Sequence, residues 1–185
     1  RLGRSMELCS PFDLLQHQGV LYIAMAGIHQ LWSMDLADGM IGPFAGTGGE
    51  AITDGLLAKA ELAQPCGITT DGVTLFFADS ETSSVRSADI DPEGKVRTIV
   101  GLDLFVFGDK DGSDHHVRLQ HPIGITHYDG VLYITDTYNH KVKRILPAMR
   151  SAFTVWGNGL AGRVDGTAEQ AQFSEPSGVS FANGN

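Results

Sequence analysis

Short apolar runs, separated by glycine, aspartate and asparagine, recur along the whole chain. Between positions 120 and 156 they lie at Ile123–His127, Val131–Asp136, Lys141–Leu146 and Phe153–Trp156. β-Branched and aromatic residues in short runs bounded by turn residues are typical of strands. The one helical candidate, Leu56–Leu62, is too short to be stable alone. The pattern therefore predicts an all-β fold.

The same pattern of positions repeats, and four prolines mark its period. Pro11, Pro65, Pro122 and Pro176 are separated by 54, 57 and 54 residues. Two residues after the last three prolines stand glycines, namely Gly67, Gly124 and Gly178, whereas the first unit has Asp13 there. Eleven residues before these same prolines begin the pairs Asp54-Gly55, Asp111-Gly112 and Asp165-Gly166. Three residues before them stand Leu62, Leu119 and Phe173. The longer unit is expected to carry its three extra residues between Val100 and Asp111.

Four strands per unit and a period of 54 to 57 residues predict the blades of a β-propeller. We expect a partial propeller of four-stranded antiparallel blades, with about three blades and the first strand of a fourth. The predicted blades run over 10–62, 63–119 and 120–173, with 174–185 beginning the next, so that 1–185 forms one propeller segment. The segment 46–64 is predicted to cross from one blade to the next, with Leu62 as its buried anchor. Because the chain lacks an initiator Met and stops inside a repeat, we expect it to be part of a longer protein.

One motif of the third unit resembles the NHL repeat. It reads Asp136-Thr137-Tyr138-Asn139-His140-Lys141-Val142-Lys143, whereas the second unit has Asp79-Ser80-Glu81-Thr82-Ser83-Ser84-Val85-Arg86 and the first lacks the aspartate. These variations, together with Phe107-Gly108-Asp109-Lys110-Asp111-Gly112, resemble the NHL repeat-containing protein 2 family and its bacterial relatives with a thioredoxin-like domain. The resemblance covers about 10–181. It implies a six-bladed propeller, of which this chain holds blades three to five and the start of six, and a thioredoxin-like domain outside the chain.

The residues at repeated positions are interpreted as structural. They are Pro65, Gly67, Asp79, Asp111, Gly112, Pro122, Gly124, Asp136, Asn139, His140, Asp165, Gly166, Pro176 and Gly178. Each Asp of an Asp-Gly pair is expected to accept backbone N–H bonds within its own turn, although a ring of acids on one rim is the functional alternative. Asp79 and Asp136 are expected to fix the turn after the second strand. Asn139 and His140 are expected to bond the backbone locally. Met25 takes the place of these aspartates in the first unit, where a catalytic ring would need a polar residue.

Several other residues could carry chemistry. Gly157-Asn158-Gly159-Leu160-Ala161-Gly162 matches a dinucleotide-binding pattern, but a turn follows it instead of the required helix. His115, His116 and His121 could hold a metal, although adjacent side chains diverge and loop histidines are the simpler interpretation. His17 and His127 lie near the ends of inner strands, out of register with each other. Trp32 and Trp156 are interpreted as packing aromatics and Cys66 as a buried thiol.

The net charge, the cysteines and the length of the apolar runs indicate which partners and which location to expect. The chain has 13 Lys and Arg against 22 Asp and Glu, a formal charge of −9, which makes a nucleic-acid partner unlikely. Cys9 and Cys66 form no paired motif, and no apolar run reaches the length of about 18 residues that spans a bilayer. We therefore expect a cytoplasmic protein without membrane contact.

The repeat without a repeated catalytic residue favours a non-enzymatic scaffold. It would bind a protein or peptide on a propeller face, beside the remaining blades of the same propeller, with no catalytic, cofactor-binding or metal residue assigned. The alternatives are a propeller enzyme of the lactonase, strictosidine-synthase or amidating-lyase type with metal in its central channel, and an RNA-binding NHL domain. Any redox activity would belong to the thioredoxin-like domain. Exposed blade faces also predict that this segment self-associates.

Overall fold

The computed structural model describes residue 3 and residues 6–182, which form three antiparallel sheets. The first sheet contains β1 (Pro11–His17), β2 (Val20–Met25), β3 (Gln30–Asp35) and β4 (Ile41–Ala45). The second contains β5 (Gly55–Leu56), β6 (Pro65–Thr70), β7 (Thr74–Asp79), β8 (Ser84–Asp89) and β9 (Lys95–Val100). The third contains β10 (Gly112–Ser113), β11 (Pro122–Tyr128), β12 (Val131–Asp136), β13 (Lys141–Leu146) and β14 (Ser151–Trp156). The predicted all-β class is confirmed.

Four strands of each sheet follow one another as a meander, as the apolar runs predict. In the third sheet the predicted strands agree with β11 to β14 to within two residues at each end. Short connections join them, among them the three-residue 3-10 turns Ala26–Ile28, Thr137–Asn139 and Pro147–Met149. The described residues contain no α-helix: Leu56 ends β5, a turn follows over 57–59, and Glu61 and Leu62 form isolated bridges.

The second and third sheets each have a fifth strand that the sequence pattern does not reveal. Strand β5 pairs with β9, and β10 pairs with β14, so each lies at the outer edge of its sheet. Both come from the segment that crosses over from the preceding sheet. Each has only two residues and no apolar run, which explains why the pattern misses them. The crossover therefore fastens the outer edge of one sheet before it begins the next inner strand.

The extra residues of the second unit are not all where the sequence comparison put them. Val85 pairs with Val100, whereas Leu31 pairs with Ala45 and Val142 with Trp156. The second unit therefore has one additional residue in the turn between β8 and β9 and two in the crossover before Asp111. Gap placement within variable turns has no anchor in a single sequence, so the backbone pairing had to decide it.

The sheets are stacked face to face, and their cores lie between them. One cluster joins the first and second sheets through residues such as Leu31, Leu62 and Phe77. The other joins the second and third sheets through residues such as Val85, Leu119 and Ile134. Leu62 and Leu119, the expected anchors, are fully buried, whereas Phe173 at the equivalent place is half-buried.

The inner strands of neighbouring sheets lie side by side. Gly67 in β6 is close to Ile123 in β11, and Gly124 is close to Ser177 and Gly178. Residues 174–182 form no ladder, because the described chain offers no second strand of a fourth sheet to pair with them. The three sheets are not closed into a ring, and apolar side chains such as Phe12, Leu14 and Trp156 stay exposed. The expected self-association stays a prediction, which sedimentation velocity would test.

Candidate functional site

Two aspartates at equivalent positions end β7 and β12 inside the sheets. Asp79 and Asp136 are both fully buried. The Oδ1 atom of Asp79 accepts the Ala63 N–H at 2.8 Å, and that of Asp136 accepts the Gln120 N–H at 2.7 Å. Each carboxylate thus holds the segment that leads into the inner strand of its own sheet. The expected bond to the following turn is present at Asp136, whose Oδ2 atom accepts the Asn139 amide N–H at 2.8 Å. The bonds to Ala63 and Gln120, which lie 16 residues earlier in the chain, were not expected.

Arg86 is the partner of Asp79, a role that was not predicted from the sequence. Its side chain is fully buried on β8, with Nη1 3.0 Å from the Asp79 carboxylate and Nη2 3.0 Å from that of Asp54. The guanidinium also donates to the Glu61 and Thr53 carbonyls, at 2.7 and 3.0 Å. Burial raises the pKa of Asp79, while the Arg86 charge opposes that rise. The two Nη atoms thus hold the crossover to the sheet through four acceptors, whereas Nε is buried without a hydrogen-bond partner among the described residues.

Lys143 takes the same position in the third sheet. Its fully buried ammonium lies 2.8 Å from Asp109, 3.1 Å from Asp111 and 3.3 Å from Asp136. Desolvation alone would lower the pKa of Lys143, but Asp136, Asp109 and Asp111 together outweigh it and leave that pKa above its usual value. Burial raises the pKa of Asp136, opposed by Lys143. We take the pair as charged because three carboxylates surround one ammonium.

The first sheet has apolar residues at both of these positions. Met25 stands where the other units have aspartate, and Trp32 stands where they have Arg86 and Lys143. Met25 is fully buried and Trp32 nearly so, within one cluster with Ile23 and Ile41. The Trp32 indole N–H donates to Gln30 at 2.9 Å. Acid and base are thus both replaced in the same unit, which indicates that the two positions act as a structural pair.

The aspartates of the Asp-Gly pairs bind outer strands. Asp54 accepts the backbone N–H of Thr98 at 2.9 Å and its hydroxyl at 2.8 Å. Asp111 does the same with Thr154, at 2.8 and 3.1 Å. The expectation of bonds within their own turns is therefore wrong for both, because β5 and β10 carry the carboxylates to the sheet edge. Asp165 lies beside a groove of about 920 Å³ that Trp156, Gly166 and Phe173 also line.

The joints between sheets repeat as well. Gln64, His121 and Glu175, the residues before Pro65, Pro122 and Pro176, all have positive φ. Their backbone N–H groups donate to His29 Nδ1, Ser83 Oγ and His140 Nδ1, at 3.2, 3.3 and 3.2 Å. Asn139 Nδ2 donates to the Gly108 carbonyl at 2.6 Å and to Asp136 at 2.8 Å. The predicted local role of Asn139 and His140 is thus wrong in part, since His140 reaches the next unit and Asn139 the crossover.

Glycines allow the inner strands to approach each other. A Cβ atom on Gly67 would lie 2.3 Å from the Ile123 carbonyl, and one on Gly124 would lie 2.7 Å from that of Ser177. No side chain fits at such distances, so both positions require glycine. Asp13 stands in the equivalent place in β1, and its carboxylate accepts the Ile68 N–H at 3.0 Å.

The inner strands line a central cavity of about 230 Å³ that is partly open to solvent. Its lining includes Asp13, Cys66, Gly67, Gly124 and Gly178. Cys66 is buried and donates to the Gln64 carbonyl at 3.3 Å. Burial, with the nearby acids, raises the pKa of this thiol to about 11. Cys66 is therefore a neutral thiol and a poor nucleophile at neutral pH, in agreement with its interpretation as a buried residue.

Comparison with known proteins gives this arrangement a family. No family model matches the chain. The chain is 38% identical to NHL repeat-containing protein 2 of Gallus gallus, over 96% of this chain and 29% of that protein. It is 40% identical to Protein SUPPRESSOR OF QUENCHING 1, chloroplastic, of Arabidopsis thaliana, over 98% of this chain and 18% of that protein. The chain is an NHL-repeat propeller segment. It spans less than a third of the length of these curated relatives.

Solved structures agree on the fold of this NHL-repeat segment. A protein of unknown function from Bacteroides thetaiotaomicron matches with a TM-score of 0.71 and 18% identity, over 91% of this chain and 41% of that one. An auxiliary nutrient binding protein from the same species matches with a TM-score of 0.69 and 17% identity, over 89% and 40%. A virginiamycin B lyase from Staphylococcus aureus reaches 0.53, at 16% identity over 81% and 42%. At these identities the similarity concerns the fold alone.

The glycine-rich pattern at 157–162 serves the NHL repeat. Gly157 has a φ of 101°, and a Cβ atom there would lie 2.6 Å from the His140 carbonyl. Gly46, at the equivalent place, has a φ of 99° and lies equally close to His29. In the described chain no helix follows 157–162. These glycines let the end of the outer strand pass close to the neighbouring turn.

The histidines of the segment make scattered contacts. The His115 and His116 rings lie 4.1 Å apart, whereas His121 lies 3.5 Å from Glu81 and packs on Tyr138. Within the described residues, no group of three or more His, Cys, Asp or Glu side chains is arranged to hold a metal. His17 contacts the Gly72 carbonyl at 3.1 Å, and His127 stacks on Phe76. Both therefore join the second sheet to a neighbour.

The two tryptophans differ in exposure. Trp32 is buried, as expected, whereas Trp156 is 40% exposed and stacks on Tyr133. Trp156 aligns with Ala45 and Val100, which are buried between sheets, so it lies on the open face of the third sheet.

Over the described residues no helix has the length and apolar character needed to cross a membrane.

The sequence contained one signal that could have found Arg86 and Lys143. Both stand 21 residues after an anchor proline, and in the first unit that place is taken by Trp32. A charged residue within an otherwise apolar strand, changing together with an acid seven residues earlier, indicates a buried pair. Comparing units for paired changes would have revealed it.

Proposed function

We propose that this propeller scaffold acts by binding a protein partner and carries out no chemistry of its own. The observation that supports the proposal is the use of the repeated charged residues. Arg86 and Lys143, with their five aspartate partners, are bound to one another and to the crossovers. Where a unit lacks the charges, Met25 and Trp32 stand at the equivalent positions and are buried in one apolar cluster. The repeated polar residues thus hold the sheets together, and the sheets position loops that can bind a partner.

The longer protein is the second element of the proposal. The relatives extend well beyond the region that this chain matches. We propose that these blades belong to a propeller that is accompanied by a thioredoxin-like domain, on the strength of the family resemblance. A cytoplasmic location is part of the same proposal, supported by the two unpaired cysteines.

The main test separates binding from catalysis at the central cavity. Asp13 is the carboxylate among the cavity residues, and Cys66 is the thiol. Purified chain would be assayed against lactone and ester substrates, beside the Asp13→Asn and Cys66→Ala variants. We expect the same background rate from all three proteins. Turnover that disappears in either variant would replace the scaffold with an enzyme.

The remaining alternatives have their own measurements. Stoichiometric calcium or zinc in the purified protein would favour the metal-dependent propeller enzymes. Retention of single-stranded RNA that weakens steeply with salt would favour an RNA-binding NHL domain. The charge of −9 supports the opposite expectation, that RNA is not retained at physiological salt.

A further inference from the structure

The second crossover differs from the other two in what it exposes. Each crossover contains a segment that begins after the glycine following an outer strand and ends before the next Asp-Gly pair. These segments are 47–53, 102–110 and 158–164. The middle one is two residues longer and contains Phe105 and Phe107, whereas the other two contain no aromatic residue. We call 102–107 the aromatic loop.

The aromatic loop presents its apolar side chains to solvent. Phe105 is 87% exposed, Phe107 is 53% exposed and Leu102 is 45% exposed. Phe105 is the most exposed large apolar residue in the described part of the chain. Several large apolar side chains exposed together on one short loop are uncommon on protein surfaces, where such patches mark interaction sites.

Hydrogen bonds lie within the aromatic loop and at its base. Asp103 accepts the Leu104 N–H at 2.7 Å through its side chain and the Val106 N–H at 3.2 Å through its carbonyl. At the base, the Gly108 N–H donates to the Leu119 carbonyl at 3.0 Å, and Asp109 binds both Lys141 and Lys143. The aromatic side chains are thus mounted on a base tied to a fully buried lysine. A rigid aromatic projection loses little conformational freedom when it binds.

We propose that the aromatic loop is the docking element for a protein partner with an apolar groove and a basic rim. This rests on the proposed scaffold function and names the surface that carries it. A projecting pair of phenylalanines fits a concave apolar site, and buried aromatic anchors dominate the binding energy of protein interfaces. The neighbouring exposed carboxylate of Asp103 and the overall charge of −9 fit basic side chains on the partner. The same charge opposes insertion into an anionic membrane surface.

The test places a photo-crosslinking residue, p-benzoylphenylalanine, at position 105 of the chain in its host cells. The matched control carries it at position 160, because Leu160 is 63% exposed in the equivalent crossover. We expect one dominant protein adduct from position 105 and not from position 160. The partner protein identified in this adduct is then purified on its own. Calorimetry measures its affinity for the wild-type chain and for the Phe105→Asp and Leu160→Asp variants.

The proposal expects Phe105→Asp to weaken that binding on the order of tenfold or more, with Leu160→Asp near the wild type. Equal affinities for the wild type and Phe105→Asp would overturn the docking loop and leave the scaffold function standing. The absence of any protein adduct at either position, together with cavity-dependent turnover, would overturn both. An adduct with a second copy, or cosedimentation with phosphatidylserine vesicles that Phe105→Asp abolishes, would replace the proposed partner by self-assembly or a membrane.

Discussion

The first and second sheets solve the same packing problem with opposite chemistry. In the first, Met25 on β2 and Trp32 on β3 are buried in one apolar cluster with Ile23 and Ile41. In the second, Asp79 and Arg86 occupy the equivalent positions, both fully buried and 3.0 Å apart. Burying two charges costs free energy that their attraction recovers only with good geometry and further hydrogen bonds. The second sheet supplies these bonds from Ala63, Glu61 and Thr53, which all lie on the crossover. The charged pair therefore fastens a crossover, a task that an apolar pair performs less specifically.

Breaking the charged pair is expected to have the largest effect. Asp79→Asn should destabilise the chain by about 3 to 5 kcal/mol, because Arg86 would stay fully buried after losing one of its two carboxylate partners, each 3.0 Å away. Urea unfolding followed by circular dichroism measures the loss. Asp89→Asn is the matched control, since its pair with Arg97 is solvent-exposed and should contribute within about 1 kcal/mol. Equal losses in both variants would show that burial does not set the contribution.

The second largest loss of stability is expected from a side chain placed where two inner strands approach each other. Gly67→Ala would place a Cβ atom 2.3 Å from the Ile123 carbonyl, so we expect a loss of about 1 to 3 kcal/mol in urea unfolding. Gly42→Ala, with no atom within 4 Å of its Cβ position, serves as the control and should be close to neutral. A neutral Gly67→Ala would mean that the sheets can move apart at no cost.

Replacing the charged pair of the second sheet by the apolar residues of the first sheet should destabilise the chain less than removing one charge of the pair. The triple variant Asp79→Met, Ser84→Gln, Arg86→Trp reproduces Met25, Gln30 and Trp32 in the second sheet. Because replacing a buried ion pair by packed apolar residues is often close to neutral, we expect a loss below about 2 kcal/mol. Urea unfolding beside Asp79→Asn decides this. A triple variant as unstable as the single one would show that the crossover bonds, and not the pair itself, carry the stability.

The smallest expected effect is a loss of stability at alkaline pH, where Lys143 loses its proton and an arginine at that position would not. The folded-state pKa of Lys143 lies above its ordinary 10.5, so its contribution is complete below about pH 10.5 and is lost as pH rises through the folded value. Lys143→Arg should remove this alkaline loss, because guanidinium keeps its proton there. The urea midpoint would be measured at about pH 9 and about pH 11.5 from the fluorescence of Trp156. Both proteins would carry Trp32→Phe, so that Trp156 is their single tryptophan. Identical pH dependence in the two proteins would contradict a titrating Lys143.

The repeat, the strand class and the family could all be predicted from the amino-acid sequence alone. Spacings of 54 and 57 residues between anchor prolines, with short β-branched runs between them, left an all-β propeller as the consistent architecture. Strand positions followed because side-chain type and turn residues are local properties. The glycines at 67 and 124 were also visible, although the reason for them, a carbonyl less than 3 Å from the missing Cβ, was not.

Tertiary structure decided what the polar residues do. Asp79, Asp54 and His140 are close in sequence to turns, yet their bonds run to partners 16, 44 and 35 residues away. Sequence proximity favours local bonds as a prediction, whereas a buried carboxylate binds whichever donors the folded crossover brings to it. The fifth strands and the exposed aromatic loop arise in the same way. They depend on where the chain lies after the sheets have stacked, and no local pattern encodes that position.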